Sequence, residues 1–197
     1  MPAESEGHLS TPGLSFPLET MRSWLPEPCR HYWQVRHPLD AIASLRVGIR
    51  DGWGHHPRPP DWQRWLDRPV IEQCAHHWSH LNEVGYDSVR ELVRICRFED
   101  MLADPTAFAA QICTDVGADP SANAAGMSRW AARVQDTNNE QFVEARTSRP
   151  YSRPDHTRRI GRWRENLTPD ELRRILPIVR EVSTRFGYSL PSQPSVA

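Results

Sequence analysis

The hydrophobic and polar positions of this chain form two kinds of segment. Short apolar runs, typical of buried strands, occupy residues 31–36 and 92–98. Longer runs in which apolar residues recur every three or four positions indicate amphipathic helices. These longer runs lie at 38–50, 70–85, 105–117, 121–145 and 168–186. Because each predicted strand is followed by a helix, the order predicts an α/β fold with a short parallel sheet flanked by helices and an excess of helix.

Start and stop signals define the ends of the predicted helices. Pro38 suits the first turn of its helix, because an N–H there has no acceptor within the helix and its absence costs no hydrogen bond. The last helix opens with Thr168 and Glu171, which have the spacing of a capping box. Gly187 is expected to end that helix and Pro177 to kink it.

The segments between these elements are of two kinds. Residues 1–16 and 189–197 are expected to be loose. Residues 51–69 are rich in Gly, Pro, Trp and His and are predicted to be irregular, and their length is typical of a binding loop. A chain of 197 residues suits one domain over residues 1–197.

Charge and cysteine content narrow the classes of partner. A net charge of −1 gives the chain as a whole no electrostatic basis for binding nucleic acid.

The four cysteines include no Cys-x-x-Cys pair, which indicates packed, reduced thiols and a cytoplasmic location. The apolar runs are too short for a membrane span. All 24 basic residues are arginine, and seven of them lie between positions 146 and 164.

An anion-binding construction is predicted at Arg36, where the first strand ends and a helix begins. At such a junction the unpaired helix N–H groups and the helix dipole attract a phosphate, which a guanidinium can hold through two parallel hydrogen bonds. Ser44 follows on the helix eight residues later. The alternative is an ordinary strand–helix junction that carries a surface arginine.

Three blocks of the sequence resemble sulfotransferases that use 3′-phosphoadenosine-5′-phosphosulfate (PAPS). They are Gln-Val-Arg-His-Pro-Leu-Asp-Ala-Ile-Ala-Ser-Leu at 34–45, Leu-Val-Arg-Ile-Cys-Arg-Phe-Glu-Asp-Met-Leu-Ala-Asp-Pro at 92–105 and Arg-Ile-Gly-Arg-Trp-Arg-Glu-Asn-Leu at 159–167. The resemblance implies a P-loop NTPase-like fold that binds PAPS and its product 3′,5′-ADP, with no metal expected. It also implies that Arg36 and Ser44 hold the 3′-phosphate of the nucleotide.

The resemblance implies further site residues. Arg158, Arg159 and Gly161 would belong to the segment that closes over the nucleotide. His8, in the sequence His-Leu-Ser-Thr-Pro, stands upstream of the first strand, where the family places a catalytic histidine. In that role it would take the proton from the acceptor group. The alternative for His8 is a mobile residue near a terminus, without a function.

One part of the family's pattern is absent from this sequence. The family opens with a strand and a Gly-rich loop whose lysine and backbone amides hold the 5′-phosphosulfate, whereas this sequence contains neither such a loop nor any lysine. We therefore expect the chain to begin inside the family fold, without the N-terminal 5′-phosphosulfate-binding loop.

Three hypotheses for the function stay open. The first is transfer of a sulfuryl group from PAPS to a hydroxyl or amine of a small molecule, lipid or glycan. The second is a non-catalytic module that binds 3′-phosphonucleotides. The third is another P-loop-related transferase or kinase with a different donor. The sequence identifies neither the acceptor nor the oligomeric state.

Two clusters of histidine and tryptophan residues lead to two further hypotheses. His76 and His80 lie one helical turn apart and could form half of a zinc site, but the ligand set is incomplete, which favours surface histidines or histidines packed around Trp78. Trp53, Trp62 and Trp65 in the irregular loop either form a wall of an acceptor pocket or pack as a satellite of the core.

Overall fold

The computed structural model describes residues 31–50, 52–134 and 160–192. Within these ranges the chain is a helix-rich α/β structure with a two-stranded parallel sheet, as the sequence predicts. The elements in chain order are β1 (His31–Val35), α1 (Pro38–Arg50), α2 (Val70–His80), β2 (Val93–Arg97), α3 (Phe98–Ala103), α4 (Pro105–Asp115), α5 (Ala124–Ala131), α6 (Trp163–Asn166) and α7 (Pro169–Arg185). None of the described helices is long and apolar enough to cross a membrane.

The sheet brings the two predicted strands side by side. Trp33 of β1 lies opposite Ile95 of β2, and Val35 lies opposite Arg97. Each strand is shorter than predicted because a helix begins almost at once, at Pro38 after β1 and at Phe98 after β2. The carboxyl ends of both strands therefore lie at one edge of the sheet, next to the first turns of α1 and α3.

The helix predictions agree with the structure in their starts more than in their ends. The helix predicted from 70 begins at Val70 and continues through a π-helical turn, Leu81–Gly85. Within the described part of the 121–145 prediction the helix spans Ala124–Ala131, and the predicted break near 136–139 lies outside the described residues. The irregular loop contains one short 3₁₀ turn, Trp62–Trp65, within the described residues 52–69.

The last helix begins and ends as predicted. Thr168 Oγ1 accepts a hydrogen bond of 3.2 Å from the Glu171 N–H, and the Glu171 carboxylate accepts one of 2.8 Å from the Thr168 N–H, which completes the capping box. The helix runs from Pro169 to Arg185 with Pro177 inside it, and Gly187 follows with a φ of +72°. That left-handed conformation favours glycine at the end of a helix.

The core lies where α2 packs between α1 and α7 on one face of the sheet. Its centre consists of side chains with no exposed surface, namely Leu39, Ile42, Trp53, Cys74, Ile175, Leu176 and Val179. Burial raises the pKa of the Cys74 thiol to about 12, so this cysteine is protonated at neutral pH. On the other face α4 reaches the sheet through Asp115, which accepts hydrogen bonds from Tyr32 and Arg94.

Candidate functional site

A cleft of about 290 Å³ opens at the edge where both parallel strands end. The segment after β1, the end of β2, the turn before α6 and the segment after α7 all contribute to its walls. Its lining side chains include His37, Arg97, Glu99, Trp163, Arg164 and Tyr188. In open α/β structures the carboxyl ends of parallel strands are the usual location of a ligand site.

The cleft is organised by the carboxylate of Asp40, in the first turn of α1. Asp40 is only 3% exposed, and its two oxygens accept hydrogen bonds from the backbone of a distant segment. The Gly161 N–H donates to Oδ2 at 2.8 Å, and the Trp163 N–H donates to Oδ1 at 2.8 Å. The start of α1 and the start of α6 are thereby joined, although 121 residues separate Asp40 from Gly161.

The conformation of Gly161 makes this attachment possible. Its φ is +74°, in the left-handed region, where a residue with a side chain would be strained and glycine is not. A side chain here would also push aside the flexible guanidinium of Arg164. Because the Gly161 N–H is bonded to Asp40, Gly161 acts at this site through its backbone conformation.

A second carboxylate, Glu99 of α3, joins two other segments at the cleft. Its Oε1 accepts a hydrogen bond of 2.8 Å from the His37 N–H, and its Oε2 accepts one of 2.7 Å from the Tyr188 hydroxyl. Burial and the nearby Glu99 carboxylate raise the pKa of Tyr188, so this hydroxyl remains a donor. The end of β1 and the segment after α7 are therefore held against α3.

The two arginine side chains that line the cleft lie against aromatic rings. The Arg97 guanidinium lies 4.5 Å from the centroid of the Tyr188 ring, and the Arg164 guanidinium lies 4.6 Å from that of Trp163. The His37 ring stacks on Trp163 with an interplanar angle of 5°. Burial lowers the pKa of His37, so the imidazole is neutral at pH 7 and the two guanidinium groups supply the positive charge.

The described residues include three of the residues predicted to bind the nucleotide. The Arg36 guanidinium lies 4.9 Å from the centroid of the Phe98 ring, beside the end of β2. The Ser44 hydroxyl donates a 2.8 Å hydrogen bond to the Asp40 carbonyl, so Ser44 and Gly161 both contact Asp40. The predicted residues His8, Arg158 and Arg159 lie outside the described residues.

Sequence reasoning missed the roles of Asp40, Glu99 and Tyr188. An aspartate in the first turn of a helix is ordinarily explained by the helix dipole, and nothing local reveals a partner more than a hundred residues away. Glu99 lies in the Phe-Glu-Asp sequence, which by itself indicates no role for this acid. The one available signal was that both acids fall among residues that the sequence places at strand–helix junctions.

The histidines of α2 and the tryptophans of the irregular loop pack against one another and against the core. His76 Nε2 lies 2.7 Å from Asp61 Oδ1, and the His76 ring stacks on Trp65 with centroids 4.1 Å apart. Trp53 is part of the core, and Trp62 and Trp65 pack against it. Among the described residues no group of three or more histidine, cysteine or acidic side chains has the arrangement of a metal site.

Comparison of the chain with protein-family models, with curated proteins and with solved structures finds no match. The function is therefore inferred from the geometry of the cleft and from the sequence blocks that form it.

We predict that Asp40→Ala destabilises the protein by about 2 kcal/mol, because the buried Trp163 N–H and the half-buried Gly161 N–H both lose their acceptor. Asp67→Ala, which removes an exposed aspartate of the irregular loop, is the matched control and should change the free energy of unfolding by less than about 0.5 kcal/mol. Urea unfolding followed by circular dichroism measures both. Equal midpoints for the two variants would contradict the role of Asp40.

Proposed function

We propose that this chain is a sulfotransferase-like protein of P-loop NTPase-like fold that binds PAPS and 3′,5′-ADP across the cleft and the neighbouring β1–α1 junction. The observation that carries the proposal is the attachment of Gly161 and Trp163 to Asp40. It joins the first and the last of the blocks that resemble PAPS-dependent sulfotransferases. Two motifs far apart in sequence are expected to meet in space if they bind one ligand.

The 3′-phosphate is proposed to bind where β1 ends and α1 begins. Arg36 follows β1 directly and can offer two parallel N–H donors to a phosphate. The first-turn N–H groups of α1 and the positive end of its dipole favour the same anion. Ser44 has an exposed position on α1, and its hydroxyl can accept a hydrogen bond from a bridging water, or donate to a phosphate oxygen once it rotates away from the Asp40 carbonyl.

The arginines of the cleft would balance the remaining charge of the nucleotide. Arg97 and Arg164 are fixed on Tyr188 and Trp163, so their guanidinium groups are oriented before a ligand arrives. In the proposed transfer an acceptor hydroxyl or amine forms a bond to the sulfur of PAPS and loses a proton to a base, for which His8 is the candidate. The bond from sulfur to the bridging oxygen breaks, and 3′,5′-ADP leaves with the electron pair.

A second candidate function is a non-catalytic module that binds 3′-phosphonucleotides. The composition favours it, because the sequence contains no lysine and no Gly-rich loop to hold the 5′-phosphosulfate. Loss of even one preorganised donor to the developing charge costs on the order of 10²–10³ in rate.

We expect Arg36→Ala to weaken 3′,5′-ADP binding roughly 10- to 100-fold, because a charge-assisted contact with phosphate is worth roughly 1.5–3 kcal/mol. Ser44→Ala should cost less, because its hydroxyl is neutral. Arg180→Ala, on the exposed face of α7, is the control and should bind like the wild type. Isothermal titration calorimetry measures all four proteins. Equal affinities for the wild type and Arg36→Ala would refute the assignment.

We also expect the protein to prefer 3′,5′-ADP over 5′-ADP and ATP, because the predicted contacts belong to the 3′-phosphate. A competition titration against a fluorescent 3′,5′-ADP analogue gives the three affinities under one condition. Equal or tighter binding of ATP would favour the kinase alternative.

Incubation of the purified chain with radiolabelled PAPS and a panel of hydroxyl and amine acceptors separates the two candidate functions. Because the sequence supplies no lysine for the phosphosulfate, we expect nucleotide binding with little or no sulfuryl transfer by this chain alone. Sustained turnover would identify the chain as an enzyme by itself and would show that arginine replaces the lysine.

A further inference from the structure

The loop of residues 52–69 is attached to α2 by a group of tryptophan and histidine rings. This Trp–His cluster consists of Trp53, His55, Trp65, His76, His77 and His80. Trp53 has no exposed surface and His77 is 1% exposed. The cluster lies beyond the C-terminal end of α1, whose 13 residues span roughly 20 Å, whereas the cleft lies at the N-terminal end. It therefore belongs to a different part of the molecule from the proposed nucleotide site.

One hydrogen bond at the centre of the cluster depends on protonation state. The Trp53 indole N–H donates to His77 Nδ1 at 3.2 Å. A nitrogen that accepts a hydrogen bond carries no proton, so His77 is the neutral tautomer with its proton on Nε2. Protonation of His77 would place a second N–H opposite the indole N–H, and it would also bury a charge.

The backbone at Trp53 is held in an unfavourable conformation. Its φ is +58°, a value that bulky residues rarely adopt and that costs of the order of 1–3 kcal/mol. The Trp53 N–H donates to the Ile49 carbonyl at 2.9 Å, and its own carbonyl accepts a 2.9 Å bond from Arg58. Loss of the indole contact would therefore allow a strained position to relax.

Several imidazole rings lie around His77, and few carboxylates do. The His55 ring centroid lies 5.8 Å from that of His77, His56 is in the same loop, and His76 and His80 flank it on α2. The carboxylate of Asp61 is bonded to His76 and Trp65, and Glu83 acts on His80.

The positive charge of this neighbourhood would rise as the pH falls. Burial lowers the pKa of His55, of His80 and of His77, the last to about 3. Arg58, which holds the Trp53 carbonyl and lies 4.4 Å from the Trp62 ring, adds a permanent positive charge to the loop.

We propose that the loop of residues 52–69 is an acid-released segment, which separates from α2 in mild acid and takes Trp53 out of the core, while the remaining core contacts among α1, α2 and α7 stay intact. Release would expose Trp53 and the outer face of α2. The trigger is the gain of protons by the histidines of the Trp–His cluster, with His77 at its centre.

The direction of the pH dependence follows from proton linkage. The attached loop binds fewer protons than the released loop, because attachment lowers the pKa values of the buried histidines. Attachment therefore weakens as the pH falls below about 6.5, the ordinary value for histidine. The weakening continues until the pH nears the value of about 3 for His77 in the attached state. Because three histidines are affected, the transition should take up more than one proton.

The test follows two indole N–H resonances by NMR between pH 7.5 and 4. Trp53 reports the loop, and Trp33 reports the core, because its indole N–H donates to the buried Asn82 at 3.1 Å. We expect the Trp53 resonance to be lost in acid while that of Trp33 persists. In His77→Gln, whose amide oxygen accepts a hydrogen bond but cannot be protonated, the midpoint should move down by about one pH unit. His56→Gln, the same change at an exposed position of the loop, should move the midpoint much less, because His56 acts on His77 only through its charge.

Two results would overturn the proposal. One is loss of the Trp53 and Trp33 resonances at the same pH, which would mean unfolding of the whole protein. The other is an unchanged midpoint in His77→Gln. If that variant fails to fold, His55→Gln decides, because His55 faces His77 from the loop and its replacement should lower the midpoint in the same direction.

Discussion

The buried carboxylate of Asp40 is the interaction on which the candidate site depends. A carboxylate that is 3% exposed is tolerated only when hydrogen bonds replace its lost water, and here two backbone N–H groups at 2.8 Å do so. The same two bonds satisfy the half-buried Gly161 N–H and the buried Trp163 N–H at the start of α6. Helix α1 and the Gly161–Trp163 segment are consequently fixed in one arrangement, and the cleft acquires a rigid wall.

The acids and the bases of the cleft have separate tasks. Asp40 and Glu99 are bonded to backbone N–H groups and to the Tyr188 hydroxyl, so they connect segments of the fold. Arg97 and Arg164 lie on aromatic rings that orient their guanidinium groups. Because the two carboxylates are engaged within the fold, the guanidinium groups are the charged groups of the cleft that could meet an anionic ligand, and Arg97 also lies 4.0 Å from Asp100.

Local signals made most of the fold predictable, whereas the contacts of the site are long-range. Nearby residues specify the helix starts at Pro38, at Val70 and after the Thr168 capping box, and these starts agree with the structure. The partner of Asp40 lies 121 residues away, and the positive φ of Trp53 depends on its burial against α2. Neither leaves a periodic pattern in the sequence, so tertiary packing determines both.

We propose that α1 and the Gly161–Trp163 segment form one nucleotide-binding unit through Asp40. Amide hydrogen exchange, measured by NMR with and without 3′,5′-ADP, tests whether they respond as a unit. We expect the nucleotide to slow exchange at Gly161, at Trp163 and in the first turn of α1 together, and to leave α5 (Ala124–Ala131) unchanged. Slower exchange in α1 alone, or an equal change in α5, would contradict it.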